Sequence, residues 1–202
     1  LIKAKPSIEY VGRKSRSFYW PLRLLPPDQA EAIATLSRFC RIADDWADGG
    51  DAAGADAYLR SMRNQLIEER AEFPEIQDAL WLIQEWAVPK AAMLHLIEAL
   101  REDIEPRQLR TDRELLRFCY GVAGVLGLML CSLLGVESKA ARAHAIDLGI
   151  AMQLSNICRD VEEDARRSRI YLPDLWRVGI DTPDAILQAN SDQEEAILDS
   201  TL

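Results

Sequence analysis

The chain has 202 residues, 49% of them hydrophobic and 28% charged, and a formal net charge of −9 at pH 7. That length suits one domain with a sizeable core, and an acidic balance without a long basic stripe argues against a nucleic-acid binder. Cys40, Cys119, Cys131 and Cys158 form no C-x-x-C pair and His95 and His144 are the only histidines, so reduced thiols of a cytoplasmic protein are expected, not a zinc site or a disulfide framework.

Strand signals are scarce and helical periodicity runs throughout, which predicts an all-α, single-domain bundle over residues 1–202. The opening, LIKAKPSIEY, lacks the apolar centre of a signal peptide. The chain starts on Leu and stops at DSTL, so either end is expected to be trimmed. Helices are predicted over 7–19, 27–48, 54–72, 75–87, 89–103, 112–135, 138–164, 171–178 and 183–188. Pro26-Pro27 before Asp28 reads as a helix start, and Gly49-Gly50 as a stop. Pro89 and Pro106 punctuate the middle. Thr111-Asp112 ahead of Glu114 gives an N-cap signal, and Gly135 closes the helix that follows. The apolar run Val122–Val136 falls short of the roughly 20 residues that span a bilayer, so a buried helix is expected there. The tail from Ser191 is polar and expected to fray.

Two acidic clusters break the usual rules of helix design. In RIADDWADGG, Asp44 and Asp48 are four residues apart at the end of a predicted helix, with Arg41 one turn before them. In RDVEED, Asp160 and Asp164 repeat the spacing, with Asn156 a turn upstream and Gln153 close to the same face. Like charges at this spacing cost a few tenths of a kcal/mol per pair. An acid at a helix C-terminus costs roughly 0.3–1 kcal/mol more. A solvated acidic surface explains either cluster alone. A divalent cation offsets the penalties in both. Mg²⁺ takes one or two carboxylates together with substrate phosphates, so two acidic helix ends facing each other suit a diphosphate. Mn²⁺ is the alternative ion.

Cations stand at matching places. SRSF at 15–18 offers two hydroxyls and a guanidinium, Arg41 precedes the first cluster, and Arg159, Arg166, Arg167 and Arg169 surround the second. Arginine forks match phosphate oxygens, although Arg166 and Arg167 also read as plain surface charges. Gly121, Gly124 and Gly127 recur every three residues in the apolar helix. They fit either close helix packing or a groove left open for a long apolar tail, and a greasy groove beside a diphosphate site suggests a prenyl diphosphate.

SRSFYWPLRLLPP, RFCRIADDWAD, YGVAGVLGLML and LGIAMQLSNICRDVEEDARRSRIYLP resemble, in order and spacing, the squalene/phytoene synthase family from about Ser15 to Gly179. DDWAD alone also fits head-to-tail prenyltransferases and terpene cyclases. The N-x3-D-x3-D run at Asn156, Asp160 and Asp164, followed by R-x-Y-L-P, looks like the head-to-head group. The resemblance implies an all-α isoprenoid synthase fold and a reaction in which two prenyl diphosphates join through a cyclopropylcarbinyl diphosphate. It implies Asp44, Asp48, Asn156, Asp160 and Asp164 as the metal site, and the aspartates with Tyr171 as catalytic residues. Ser15, Ser17, Arg41, Gln153, Arg159 and Arg169 match diphosphate-binding positions, and Phe118, Gly121, Gly124 and Gly127 fall on the tail channel. Asp103 sits where the family often has an acid.

The chain departs from the pattern at three places. Phe118 stands where many members have tyrosine, and Tyr120 lies about 200° further round a helix and cannot replace it. Ser37 occupies a commonly aromatic position. The family also continues for several helices past Tyr-Leu-Pro, so this chain is expected to lack them. The expected activity is phytoene formation from geranylgeranyl diphosphate. A farnesyl-using enzyme making presqualene diphosphate, squalene or dehydrosqualene is the near alternative, with NADPH required only if squalene forms. A non-catalytic relative acting in assembly is the alternative of another class, and a cyclase or head-to-tail enzyme is a third. A lipid product makes peripheral membrane contact an expectation too, though no basic amphipathic helix demonstrates it.

Overall fold

Pro27 opens the first long helix of the computed structural model, which describes residues 20–177 and 181–189. This helix, α1 (Pro27–Ala47), loses no hydrogen bond to the proline at its first position. It buries Ala30, Ile33, Phe39, Ala43 and Ala47 along a stripe facing the core. Asp48 caps its C-terminus, and Gly50 turns the chain at φ 81°, where a side chain would be strained. α2 (Ala52–Glu68) restarts behind Asp51, whose carboxylate accepts the Gly54 amide. α3 (Pro74–Trp86) and α4 (Lys90–Glu102) complete the first half. α1 packs on α2, α3 and α4. A buried Arg38–Asp78 ion pair ties α1 to α3, and the Gln65 side chain accepts the Glu72 and Phe73 amides to hold the connection between α2 and α3.

α5 (Asp112–Cys119) starts in a capping box formed by Thr111 and Glu114. A π turn over Tyr120–Gly124 joins it to α6 (Val125–Leu133). The predicted helix over 112–135 is therefore a rod with an internal widening, where the sequence pattern suggested a uniform α-helix. By length and composition Asp112–Leu133 could cross a membrane; in the fold it packs against α4 and α7. α7 (Lys139–Arg159) buries only Ile157 completely and leaves Leu148 and Met152 exposed.

The predicted helix over 138–164 breaks at Asp160, with φ −104° and ψ 16°, and resumes as α8 (Val161–Arg166). Hydrogen bonding carries through the break, from Asp160 N to Asn156 O at 2.9 Å and from Asp164 N to Asp160 O at 2.8 Å. The helix predicted over 171–178 is not found in the described part of that span. Residues from Ile170 on pair with the segment ahead of α5, Pro173 biases its predecessor toward extended backbone, and a short 3-10 turn, Asp174–Trp176, follows. Helix also covers 183–189 among the described residues. The helix predicted over 7–19 and the tail from Ser191 lie outside the described residues. The fold class is all-α. Among the described residues, β-type pairing amounts to the isolated parallel bridge between Gln108 and Ile170.

Candidate active site

That bridge explains the R-x-Y spacing. Ile170 N donates to Arg107 O at 2.7 Å, and Leu109 N donates to Ile170 O at 2.8 Å, which fixes an extended segment beside α5. Alternate residues of an extended chain point to opposite sides. Ile170 accordingly enters an apolar cluster with Ala165 and Ile186, while Arg169 and Tyr171 both reach Asp103 at the end of α4.

Three helices end on an aspartate: α1 on Asp48, α4 on Asp103 and α7 on Asp160. The segment after α8 links the first two. Arg169 Nη1 donates to Asp48 Oδ1 at 2.7 Å, and its Nη2 donates to the Asp103 backbone carbonyl at 2.9 Å. Arg167 Nη1 donates to Asp48 Oδ2 at 3.2 Å. The acidic end of α1 and the segment following the second cluster thus share one site. Arg41 reaches Asp44 at 3.4 Å, and Arg159 grips Asp160 through both oxygens at 2.7 and 2.6 Å. Asn156 Nδ2 lies 3.4 Å from Gln153 Oε1, one turn before Asp160.

The carboxylates do not share one electrostatic environment. Burial, and then the Asp48 charge, push the Asp44 carboxyl above its usual range. Burial and the nearby Asp160 charge raise Asp164 to about 6. Burial raises Asp103 to about 6 as well, against the favourable Tyr171 hydrogen bond and the Arg169 charge. The Arg159 fork holds Asp160 below its usual range. Burial, followed by the Asp44 charge, pushes the Cys40 thiol to about 12, so it stays protonated and inert.

Crowded carboxyls with raised pKa values are the chemistry a divalent cation relieves, and Asp44 and Asp164 have that character as hard oxygen donors. Among the described residues no group of three acids, histidines or cysteines stands arranged to hold a metal ion by itself.

Ser15 and Ser17 lie outside the described residues. The expected tail channel is only partly open. Gly121 packs on α4, where an added Cβ would stand 2.7 Å from Ala99 Cβ. Gly124 faces Ile146 and Ile150 of α7, with an added Cβ 3.3 Å from Ile146, and Gly127 abuts the α7 backbone at Ala145. Gly124 and Gly127 therefore serve close helix contact, which corrects the reading of an open glycine groove: the backbones of α6 and α7 approach until no side chain fits between them.

Phe118 is 5% exposed and stacks on Tyr171 with ring centroids 4.7 Å apart, while the Arg107 guanidinium lies 5.4 Å from its centroid. Phe118 and Gly121 line a cleft of about 140 Å³ between α4 and α5, together with His95, Glu102, Arg107 and Arg117. Tyr120 stands edge-on to His95 with ring centroids 5.3 Å apart and does not stack on Tyr171 as Phe118 does. Asp103 carries more of the site than its sequence context suggested. The signal was present in LREDIEP, a third acid at a helix C-terminus, but it lacked the i, i+4 partner that marked the other two.

The family model for squalene/phytoene synthase matches residues 11–200. The chain is 36% identical over 188 residues to the phytoene synthase of Thermus thermophilus, covering 89% of this chain and 63% of that protein. It is 33% identical over 181 residues to the 15-cis-phytoene synthase of a Paracoccus species, covering 84% of this chain and 60% of the relative. The chain thus spans about 60% of the length of these two relatives. Its fold superposes on a dehydrosqualene synthase solved in complex with a ligand with a TM-score of 0.73 and 30% identity, covering 94% of this chain and 72% of the other. The squalene synthase of Alicyclobacillus acidocaldarius shares the fold with a TM-score of 0.72 at 24% identity, covering 90% of this chain and 72% of that one. With nearly its whole length matched and the aspartate-rich helix ends in place, the chain belongs to the squalene/phytoene synthase family.

Proposed function

We propose that the protein joins two prenyl diphosphates head to head to form phytoene, with geranylgeranyl diphosphate as substrate and Mg²⁺ as the ion. The observation that carries this reading is Asp48, the last residue of the first acidic cluster, held by Arg167 and Arg169 from the segment following the second. Acids and cations from both motifs share one site, as a metal-bound diphosphate requires. The relatives named phytoene synthase support the choice of product.

A bound divalent cation would supply Lewis-acid stabilisation of the leaving diphosphate. The chain's residues do the rest. Asp44, Asp48, Asp160 and Asp164 present hard oxygens, with Asn156 and Gln153 one to two turns behind. Arg167 supplies a guanidinium fork that moves from carboxylate to phosphate oxygens once the acids have another partner, and Arg169 lends its charge beside it. Tyr171 is fixed by Asp103 and by the Phe118 ring, so its hydroxyl needs little reorganisation at the moment of reaction.

The dehydrosqualene synthase likeness at 30% identity favours a second reading, in which farnesyl diphosphate is the substrate. NADPH enters only if squalene is the product. The lipid product supports peripheral membrane contact of a cytoplasmic protein. Incubation with Mg²⁺ and, separately, farnesyl and geranylgeranyl diphosphate decides between them. A C40 hydrocarbon or its cyclopropyl diphosphate supports the first reading, and a C30 product the second. Diphosphate release from neither, with Mg²⁺ or Mn²⁺, means a non-catalytic relative.

A further inference from the structure

Asp103 closes α4 at 8% exposure. Its Oδ2 accepts the Tyr171 hydroxyl at 2.6 Å, and its backbone carbonyl accepts Arg169 Nη2 at 2.9 Å. Arg169 Nη1 meanwhile donates to Asp48 and lies 4.0 Å from Asp103 Oδ2. The other carboxylate oxygen, Oδ1, is buried without a hydrogen-bond partner among the described residues, with Arg107 Nη1 4.0 Å away. An unsatisfied buried acceptor costs stability, and so does a buried charge whose pairing is incomplete. An amide of the same shape would remove the buried charge and keep an acceptor for Tyr171. A residue whose side chain burdens the fold while it holds Tyr171 through Oδ2 and Arg169 through its backbone carbonyl fits the trade of stability for function.

We propose that Asp103 is a positioning residue of the diphosphate site: it fixes the Tyr171 hydroxyl and the Arg169 guanidinium, and it receives Arg169 when Asp48 turns to a cation. The proposal rests on the prenyl diphosphate reading above. Arg169 is pinned at Nη2 to a backbone carbonyl, so rotation about that anchor carries Nη1 from Asp48 toward the Asp103 carboxylate. The exchange frees Asp48 without stranding a buried guanidinium, which is the expensive outcome. Arg107 completes the cationic surround from the segment ahead of α5 and also covers Phe118, the ring that backs Tyr171.

The test compares Asp103→Asn and Asp103→Ala with the parent protein, as the full chain. Asparagine keeps the size and an acceptor for Tyr171 but removes the charge; alanine removes both. The expected result is a fall in kcat of about tenfold for Asp103→Asn and about a hundredfold for Asp103→Ala, with KM changed less than about twofold. Binding of inorganic diphosphate in Mg²⁺ weakens about threefold or more in both variants, because the buried carboxylate that receives Arg169 is gone while its backbone anchor remains. The thermal midpoint of Asp103→Asn stays equal to or above that of the parent. Adding Tyr171→Phe to Asp103→Ala lowers kcat little further, since the two groups act as one unit.

An Asp103→Asn protein with parental kcat and diphosphate binding but a lower thermal midpoint overturns the proposal and leaves the prenyl diphosphate reading standing. Strict additivity in the double variant also overturns it. A parent protein that releases no diphosphate overturns both.

Discussion

The ends of α1 and α7 carry the same i, i+4 aspartate pair and fold differently. α1 runs unbroken through Asp44, with Asp48 as its cap. α7 stops at Asp160, and Asp164 belongs to the next short helix. Compensation differs as well. Asp48 is held from across the site by Arg167 and Arg169, whereas Asp160 is neutralised by Arg159, its neighbour in sequence. Asp164 is left crowded, with its carboxyl raised to about 6. A shared motif thus sets which groups gather, while the packing around each end sets how each carboxylate's charge is compensated.

The sharpest way to break this comparison is to neutralise one member of each pair. Asp48→Asn and Asp164→Asn are each expected to lower turnover by about 10³-fold, in line with loss of a group that stabilises developing charge. Asp160→Ala is expected to abolish turnover while the thermal midpoint stays near that of the parent, because the loss of the Arg159 pair is offset by removal of an acid from the α7 C-terminus. Retained activity in Asp160→Ala means that the second cluster does not hold metal.

The arginines sharpen the contrast. Arg169 is 10% exposed at its side chain and doubly held, and Arg167 is 48% exposed. Arg169→Ala is therefore expected to cost about a hundredfold in kcat/KM and Arg167→Ala about tenfold or less, since screened surface pairs contribute little. Equal losses would show that burial does not separate their roles.

A smaller effect tests Asp164 itself. Its folded pKa of about 6 lies above the model-peptide value of 3.8, so the folded state holds its proton more tightly than the unfolded state does. Stability from this group is full below about pH 4 and lost as pH rises through about 6. Without metal, Asp164→Asn should match the parent near pH 4 and exceed it above pH 6, by about 1 kcal/mol after screening. Thermal melts across that range check it, and a constant difference at all pH values counts against the crowding described here. The smallest expected effect is Phe118→Tyr, a few-fold rise in the second half-reaction by analogy with the family's tyrosine. Equal accumulation of the cyclopropyl intermediate in both proteins clears Phe118 of blame.

Much of this was legible in the sequence because it is local. The α1 start at Pro27, the stop at Gly50 and the Thr111–Glu114 capping box each depend on a few adjacent residues. Long-range effects were harder to read. The helix expected over 171–178 gave way to pairing with residues more than sixty positions away, which periodicity does not see. The π turn at Tyr120–Gly124 leaves the apolar pattern almost unchanged. Gly124 and Gly127 looked equally suited to an open groove and to close packing, and the approach of α7 decided for packing. Asp103 stayed faint because its partners, Arg169 and Tyr171, come from the far end of the chain.

The central claim is that the two acidic helix ends form one cation–diphosphate site. Titration of Mn²⁺ into the protein with inorganic diphosphate present, followed by the loss of the free-ion magnetic resonance signal, tests it most directly. The account predicts that Asp48→Asn and Asp164→Asn each weaken uptake of the same ions, and that combining them adds little. Independent, additive losses, or uptake that survives both substitutions, would contradict it.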